Sequence, residues 1–199
     1  MQSTFLRSKT WRAFFARFRN YGQLPTWGWF KIAPDPKTLA FAESYLRKIQ
    51  ERGSKMADRA EVAFRRIKAK RPDLIPATPC ELPKFVERLW LEAPKVVGQR
   101  TWKNLWDAIV FELDDYRCQY CGRSTFEVFE SEDHRRGLFL VVDHISPKTD
   151  AGKKSSFDNH ATACWSCNTM KGRLSREAFE HELHSLLESA TQSQALRGR

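Results

Sequence analysis

Apolar residues recur every three to four positions along much of the chain, which is the spacing of one face of an α-helix. Over residues 4–19 the apolar positions alternate with arginine and lysine, and they are Trp11, Phe14, Phe15 and Phe18. The spacing returns from Lys37, is interrupted at Gly53-Ser54 and continues to Arg71. It predicts further helices near 82–91, over 101–113 and after Ser175. The apolar stripe of the last helix is Ala178, Phe179, Leu183, Leu186 and Leu187.

Two short segments have the character of strands instead. Residues 138–142 are aliphatic or aromatic, with two β-branched valines, and residues 159–163 are the candidate return strand. A helix is predicted to open around Cys164, directly after the second segment. The order of these elements predicts an α+β protein, in which a mainly helical region precedes a small module of two strands and a helix.

Charge divides the chain into two unequal halves. Residues 1–99 hold 20 Lys and Arg against 9 Asp and Glu, whereas residues 100–199 hold 14 against 15. A field of one sign favours a polyanionic partner such as nucleic acid, and a solvated charged surface is the alternative. Together with a break at Ala93–Gly98, this predicts a basic helical region at 1–98, a second domain at 99–190 and a flexible tail at 191–199.

The sequence offers no candidate for a membrane segment. The longest apolar runs, such as Leu138–Val142, are far too short to span a bilayer. No apolar signal core with a small-residue cleavage site is evident. The chain is therefore expected to be cytoplasmic, with reduced thiols and no membrane partner.

Four of the five cysteines form two pairs of identical spacing, Cys118–Cys121 and Cys164–Cys167. Such pairs are typical of a tetrahedral zinc site, because each pair supplies two thiolates. A site made only of cysteines leaves no open position for water and is therefore structural. Disulfide pairing is the alternative, and the expected compartment disfavours it.

A second group of polar residues is separate from the cysteines. Asp143 and His144 end the first strand, and Asn159 and Asn168 follow at spacings that could bring the four side chains together. Adjacent strand residues point in different directions, which suits a division of roles. Asp143 can bind a hard cation such as Mg2+, to which Asn168 offers a neutral oxygen, and His144 can act on a water molecule.

Four motifs follow one another along the second half of the chain: Cys-Gln-Tyr-Cys-Gly, Val-Asp-His-Ile, Asn-His-Ala-Thr-Ala-Cys and Cys-Asn-Thr-Met-Lys-Gly. Together they resemble the HNH nuclease family in its zinc-carrying form, over roughly residues 102–179. Asn168 stands where many members have a third histidine, so the chain resembles the H-N-N variant. The resemblance implies a ββα-metal fold with structural Zn2+ and catalytic Mg2+ or Mn2+.

The resemblance also implies an activity and a role for each site residue. It implies hydrolysis of DNA phosphodiester bonds by a one-metal mechanism, leaving 5′-phosphate and 3′-hydroxyl ends. His144 would be the general base, Asp143 and Asn168 would hold the catalytic metal, and Asn159 would hold the loop and orient the histidine. A histidine with a pKa near 6.5 suits base catalysis at neutral pH. His160 is a weaker candidate for a metal ligand or base, by residue type.

Basic residues near the motifs and in the helical region are the candidate contacts to DNA, with solvated surface charge as the alternative. In the module they are Lys153, Lys154, Lys171 and Arg173. In the helical region they are Arg65, Arg66 and Lys68.

Two other functions fit the same sequence. One is a non-catalytic nucleic-acid-binding zinc module, in which Asp143 and His144 are ordinary strand-end residues. The other is the nuclease subunit of a multi-component defence system that a partner activates. The full set of one aspartate, one histidine and two asparagines favours catalysis, because binding alone does not need it. Whether the chain forms a homodimer or binds a protein partner is left open.

Overall fold

The computed structural model describes residues 10–19, 36–123, 140–147 and 157–197. The helices in these ranges are α1 (Trp11–Arg19), α2 (Pro36–Lys70), α3 (Leu82–Val97), α4 (Gln99–Leu113), α5 (Trp165–Lys171) and α6 (Arg176–Arg197). Strands β1 (Leu140–His144) and β2 (His160–Cys164) form an antiparallel pair, and two 3-10 turns, Pro72–Leu74 and Pro79–Glu81, join α2 to α3. The predicted α+β fold, a mainly helical region before a small two-stranded module, is confirmed.

Helix α4 lies at the centre of the described structure. It contacts α1, α2 and α3 as well as both strands of the sheet. Its buried apolar residues are Trp102, Leu105, Trp106, Ala108, Ile109, Val110 and Phe111. A helix that is apolar on most of its circumference must be covered on most of it. Buried residues of the helical region and of the module accordingly form one hydrophobic cluster, and the division at residue 98 stays a prediction.

Helix α2 runs unbroken through Gly53-Ser54, so the interruption predicted there is wrong. A glycine inside a helix costs only about 1 kcal/mol relative to alanine, and the packing of α2 against α4 outweighs that cost. Among the residues that the structure describes, the buried face of α2 begins at Gly53 itself and continues through Ala57, Ala60, Ala63 and Ile67. No helix that the structure describes, α2 included, has an apolar stretch long enough to cross a membrane.

Helix α1 is held by the aromatic face that its sequence pattern predicts. The ring centroid of Trp11 lies 4.4 Å from that of Phe64 on α2, and that of Phe18 lies 6.1 Å from Phe111 on α4. Its buried residues are Phe14, Phe15 and Phe18. The amphipathic helix is confirmed over 11–19, whereas residues 4–9 lie outside the described ranges.

The chain turns from α3 into α4 at Gly98, whose φ of 81° lies in the left-handed region that favours glycine. The Gly98 N–H donates to the carbonyl of Pro94 at 2.8 Å, and its own carbonyl accepts from Trp102 N at 2.9 Å. One residue thus ends one helix and starts the next. Helix α3 extends past the predicted end near residue 91 because its buried face continues through Ala93 and Val97.

The strands pair from Leu140 opposite Cys164 to His144 opposite His160. The two predicted strands are confirmed over residues 140–142 and 160–163, and they end two residues and one residue later than predicted. Residues 138 and 139 lie outside the described ranges. Helices α4 and α5 each contact both strands. This cover matters because a two-stranded hairpin is at best marginally stable in water by itself.

Helix α6 begins after Ser175, whose hydroxyl accepts a hydrogen bond from Ala178 N at 3.2 Å, so the predicted cap is confirmed. Of the predicted apolar stripe, Phe179 is buried and Leu183 is partly buried, whereas Leu186 is 62% exposed. Among the side chains of α6 that the structure describes, burial is therefore concentrated in the first two turns. Its backbone is helical to Arg197, and the flexibility of 191–199 stays a prediction.

A partly buried ion pair fastens α1 to α4. Arg17 on α1 donates to Glu112 Oε1 on α4 at 2.8 Å and also lies 3.3 Å from Asp115 Oδ1. The Glu112 side chain is fully buried, whereas that of Arg17 is 33% exposed. Burial raises the pKa of Glu112 to about 7, although the charge of Arg17 opposes the shift.

Because of Glu112, stability is expected to fall as the pH rises from about 4.5 to about 7. Over this interval the carboxyl ionises in the unfolded chain and keeps its proton in the folded one, so rising pH favours unfolding. In the Glu112→Gln variant, the free energy of unfolding should lack this pH-dependent decrease, which is about 1–3 kcal/mol. Thermal unfolding across this pH range measures it, with the exposed Glu87→Gln as control. The same pH dependence in wild type and Glu112→Gln would contradict the assignment.

Candidate functional site

The four cysteines of the two pairs come together in space. The Sγ atoms of Cys118, Cys121, Cys164 and Cys167 lie within 4.8 Å of one another, and those of Cys121 and Cys164 are 3.9 Å apart. Four thiolates around a tetrahedral zinc ion, at about 2.3 Å from it, would be about 3.8 Å apart. The donor set and its spacing therefore fit a metal such as zinc.

Each pair is shaped by local hydrogen bonds. In the first pair, Gly122 N donates to the carbonyl of Cys118 at 2.8 Å, and the φ of Gly122, 71°, favours glycine. In the second pair, Cys164 ends β2 and caps α5, since its Sγ accepts from Cys167 N at 3.4 Å. The four thiols interact with one another, which lowers the pKa of Cys118 and raises the pKa of Cys164 and Cys167.

The first cysteine pair is attached to the edge of β2 at Thr162. The Thr162 N–H donates to Asp114 Oδ2 at 2.6 Å, and the Thr162 carbonyl accepts from Gln119 N at 2.8 Å. Asp114 directly follows α4, and burial raises the pKa of its carboxyl. The turn after α4 is thus attached to β2 through Thr162, and this attachment places Cys118 beside the other cysteines.

Asp143 is buried, and its two described partners reach the same oxygen atom. Tyr120 Oη donates to Asp143 Oδ2 at 2.6 Å, and Lys171 Nζ lies 3.1 Å from that oxygen. Burial and the hydrogen bond to Asp143 raise the pKa of Tyr120, which therefore stays a donor at neutral pH. Within the described ranges, Asp143 Oδ1 has no such partner, so it can accept a further ligand.

Asn168 lies on α5, the helix that also carries Lys171 and contacts β1. Residues three apart on a helix share a face. Because Lys171 reaches Asp143, Asn168 is placed on the same side of α5, toward the same end of β1. The structure therefore brings the helix of Asn168 to the strand of Asp143.

His144 is the last residue of β1 and is half-buried. Its carbonyl accepts from Lys171 Nζ at 2.7 Å, and its ring centroid lies 4.7 Å from that of His160. Side chains of adjacent strand residues leave the sheet on opposite faces. Asp143 therefore faces Tyr120 and Lys171, whereas His144 faces His160.

Asn159 holds the loop that follows β1. Its Oδ1 accepts from Ser146 N at 2.7 Å, its Nδ2 donates to the Ser146 carbonyl at 3.2 Å, and its own carbonyl accepts from Ile145 N at 3.2 Å. The residue is 7% exposed. These bonds fix the two residues that follow His144, so Asn159 holds the backbone of the loop.

The positions of the basic residues in the module differ from one another. Lys171 is only 2% exposed, so its ammonium is not at the surface, and the expectation that it contacts DNA is corrected. Its position follows from Asp143, since a buried carboxylate needs a cation beside it. Arg173 is exposed, and Lys153 and Lys154 lie outside the described ranges.

In the helical region, Arg65, Arg66 and Lys68 are exposed along α2. Arg65 pairs with Glu61 at 3.2 Å. Arg66 lines a groove of about 380 Å³ between α2 and α4, together with Asp58, Arg59, Val62, Arg100, Thr101 and Asn104. We call it the α2–α4 groove.

The α2–α4 groove carries positive charge that is not compensated. Its one acidic residue, Asp58, is paired with Arg19 of α1 at 2.7 Å. In the part of the chain that the structure describes, Arg59, Arg66 and Arg100 have no acidic partner. Anionic groups such as phosphates fit a groove of this kind.

Tyr120 and the true place of Lys171 were missed by sequence reasoning. Tyr120 lies between the cysteines of the first pair, and a tyrosine fixed in this way needs a partner for its hydroxyl when it is buried. Lys171 follows Asn168 by three residues on one helix, so a helix face directed at the site carries both. These two signals were present in the sequence.

Comparison with known proteins agrees with this geometry. A family model described as HNH endonuclease matches residues 118–174, which include both cysteine pairs and the end of β1. No curated protein and no solved structure gave a significant match to the chain. An HNH domain points to nuclease or nucleic-acid-binding activity and to nucleic acid as the substrate. The chain therefore contains, at residues 118–174 and after a mainly helical region, a domain of the HNH endonuclease family.

Proposed function

We propose that the protein is a metal-dependent endonuclease that hydrolyses DNA phosphodiester bonds and leaves 5′-phosphate and 3′-hydroxyl ends. The end of β1 carries this proposal, because a buried carboxylate, Asp143, and a histidine, His144, stand there side by side near α5. A carboxylate for a hard cation and a base for water are the two parts that one-metal hydrolysis requires.

Asp143 and Asn168 are the proposed ligands of the catalytic cation. The donor set fits, since Asp143 Oδ1 is available and Asn168 lies on the face of α5 from which Lys171 reaches Asp143. Carboxylate and amide oxygens are ligands that Mg2+ and Mn2+ prefer. A bound cation would neutralise charge on the phosphate and on the leaving 3′-oxygen.

His144 is the proposed general base, which takes a proton from the attacking water at a ring nitrogen. Its backbone is restrained from two directions. Lys171 binds its carbonyl, and Asn159 fixes the loop that follows it. This supports a positioning role for Asn159, and a base whose backbone is fixed loses little further freedom when the substrate binds.

Zn2+ is the proposed occupant of the four-cysteine cluster, with a structural role. A site of four thiolates has no open position for substrate or water. A bound zinc ion would join the turn after α4 to the junction between β2 and α5. This link would stabilise the two-stranded sheet, which is at best marginally stable by itself.

DNA is the proposed partner, and the α2–α4 groove is the proposed contact in the helical region. Support comes from its uncompensated arginines and from the charge of residues 1–99. In the second half of the chain, Arg173, Lys153 and Lys154 remain proposed phosphate contacts, as do Arg65 and Lys68 on α2.

One observation favours a second candidate function, a non-catalytic nucleic-acid-binding zinc module. Lys171 already compensates the charge of Asp143 at 3.1 Å, so the buried carboxylate needs no divalent cation for stability. In such a module, Asp143 would serve only the packing of β1 on α5. Cleavage assays distinguish the two functions.

Purified protein is expected to contain one zinc ion per chain. Cys164→Ser should lose that zinc and become sensitive to protease, since structural zinc supplies on the order of 10–16 kcal/mol of apparent binding energy. Metal analysis and limited proteolysis measure both effects. Cys80→Ser, outside the two pairs, is the control and should change neither. Full zinc content in Cys164→Ser would refute the site.

His144→Ala is expected to slow the nicking of supercoiled plasmid by about 10²–10⁴-fold in Mg2+ or Mn2+, because the attacking water loses its base. Zinc content and DNA binding should stay as in wild type, and EDTA should stop wild-type nicking. The control is His181→Ala, an exposed histidine of α6. Undiminished nicking by His144→Ala would remove the base assignment, and DNA binding by wild type without any nicking would favour the second candidate function.

Binding to a DNA duplex is expected to weaken steeply with salt, with a slope equivalent to about five or more phosphate contacts. Replacing Arg59, Arg66 and Arg100 with glutamine should make the fall of log affinity with log salt shallower. The magnitude of the slope should decrease by up to about 2.7, since each contact contributes about 0.9. Fluorescence anisotropy across a salt series measures this slope.

The control for this experiment removes the same formal charge from another surface. Arg71, Arg88 and Lys95 are held in ion pairs with the carboxylates of Asp73 and Glu92. Their triple glutamine variant should keep most of the wild-type slope. Equal slopes for the two triple variants would mean that total charge, and not the groove, determines binding.

A further inference from the structure

His144 and His160 face each other at the open end of the strand pair. They are directly opposite in the antiparallel register, so their side chains lie on the same face of the sheet. Their ring centroids are 4.7 Å apart, with 57° between the ring planes. The proposed base therefore has a second imidazole in contact with its ring.

Two tryptophans of the helical region surround His160 on its other sides. Its ring centroid lies 5.0 Å from that of Trp90 on α3 and 5.7 Å from that of Trp106 on α4, the latter nearly perpendicular at 79°. Trp90 and Trp106 are 4.6 Å from each other. Trp106 is 4% exposed and packs in turn on the buried Trp102 at 5.7 Å. The orientation of the His160 ring is thus fixed by close packing.

We propose that His160 is a positioning residue, which transmits the packing of Trp90 and Trp106 to the imidazole of His144. This inference rests on the proposed function, in which His144 is the general base. A base must lie within hydrogen-bond reach of the attacking water, and a displacement of about 1 Å can cost about 10²-fold in rate. The backbone of His144 is already restrained, so the freedom that remains lies in its side-chain torsions. His160 restricts these torsions.

The proposal gives helices α3 and α4 a part in catalysis. Neither helix lies within the matched segment 118–174, yet one residue from each forms the wall behind His160. Packing against the indole rings of Trp90 and Trp106 depends on the shape of the His160 ring. It differs from the metal-ligand or base role considered for His160, which needs a ring nitrogen.

Two substitutions of His160 separate ring shape from ring chemistry. His160→Ala should lower kcat by about 10–100-fold with little change in KM, because the base is displaced while DNA contacts persist. His160→Phe keeps an aromatic ring between the tryptophans and should recover most of the lost kcat. Equal loss in both variants would mean that His160 acts through a nitrogen, and wild-type kcat in His160→Ala would mean that it does not position the base. Either result overturns the proposal.

A second pair of measurements covers misfolding and the failure of the proposed function. If His160→Ala does not fold, the Trp90→Leu variant is measured in its place. This variant retains His160 and should also lower kcat at unchanged KM. An unchanged kcat overturns the proposal. Histidine-labelled protein gives a readout independent of cleavage. The His144 ring resonances should shift in His160→Ala and stay near wild type in His181→Ala. Unchanged resonances refute the positioning contact, whereas full nicking by His144→Ala refutes only the role of the base.

Discussion

A sheet of two strands buries too little apolar surface to stand alone in water, and this constraint governs the HNH domain. Helices α4 and α5 cover β1 and β2, and the four cysteines join the turn after α4 to the junction of β2 and α5. The same turn occupies the outer edge of β2, where both backbone groups of Thr162 are bonded to it. An edge that would otherwise need water is thereby paired within the fold.

The site depends on one buried oxygen atom, Asp143 Oδ2. A buried carboxylate is costly unless it is paired, and removing one partner from a buried ion pair typically costs about 3–5 kcal/mol. Here Lys171 supplies the charge from α5 and Tyr120 supplies a hydrogen bond from the first cysteine pair. Three distant segments of the chain therefore meet at this atom, and the proposed metal ligand is in place before any cation binds.

Local signals account for what the sequence predicted well. Apolar spacing located most helices and both strands, and the spacing of the two cysteine pairs predicted the four-cysteine cluster. The break at Gly53 was predicted wrongly because a local glycine cost of about 1 kcal/mol is smaller than the packing of α2 on α4. The burial of Lys171 was missed because its partner lies 28 residues away in sequence, and charge alone suggests a surface position.

Helix α4 shows why the limits of sequence similarity differ from the limits of the folding unit. The family model begins at Cys118, yet helix α4, which covers the sheet together with α5, and the two tryptophans that contact His160 lie before it. The same helix receives Arg17 of α1 at Glu112 and lines the α2–α4 groove through Arg100. Because α4 is shared in this way, a ligand that displaced it at the groove would also move Trp106, and through Trp106 the ring of His160.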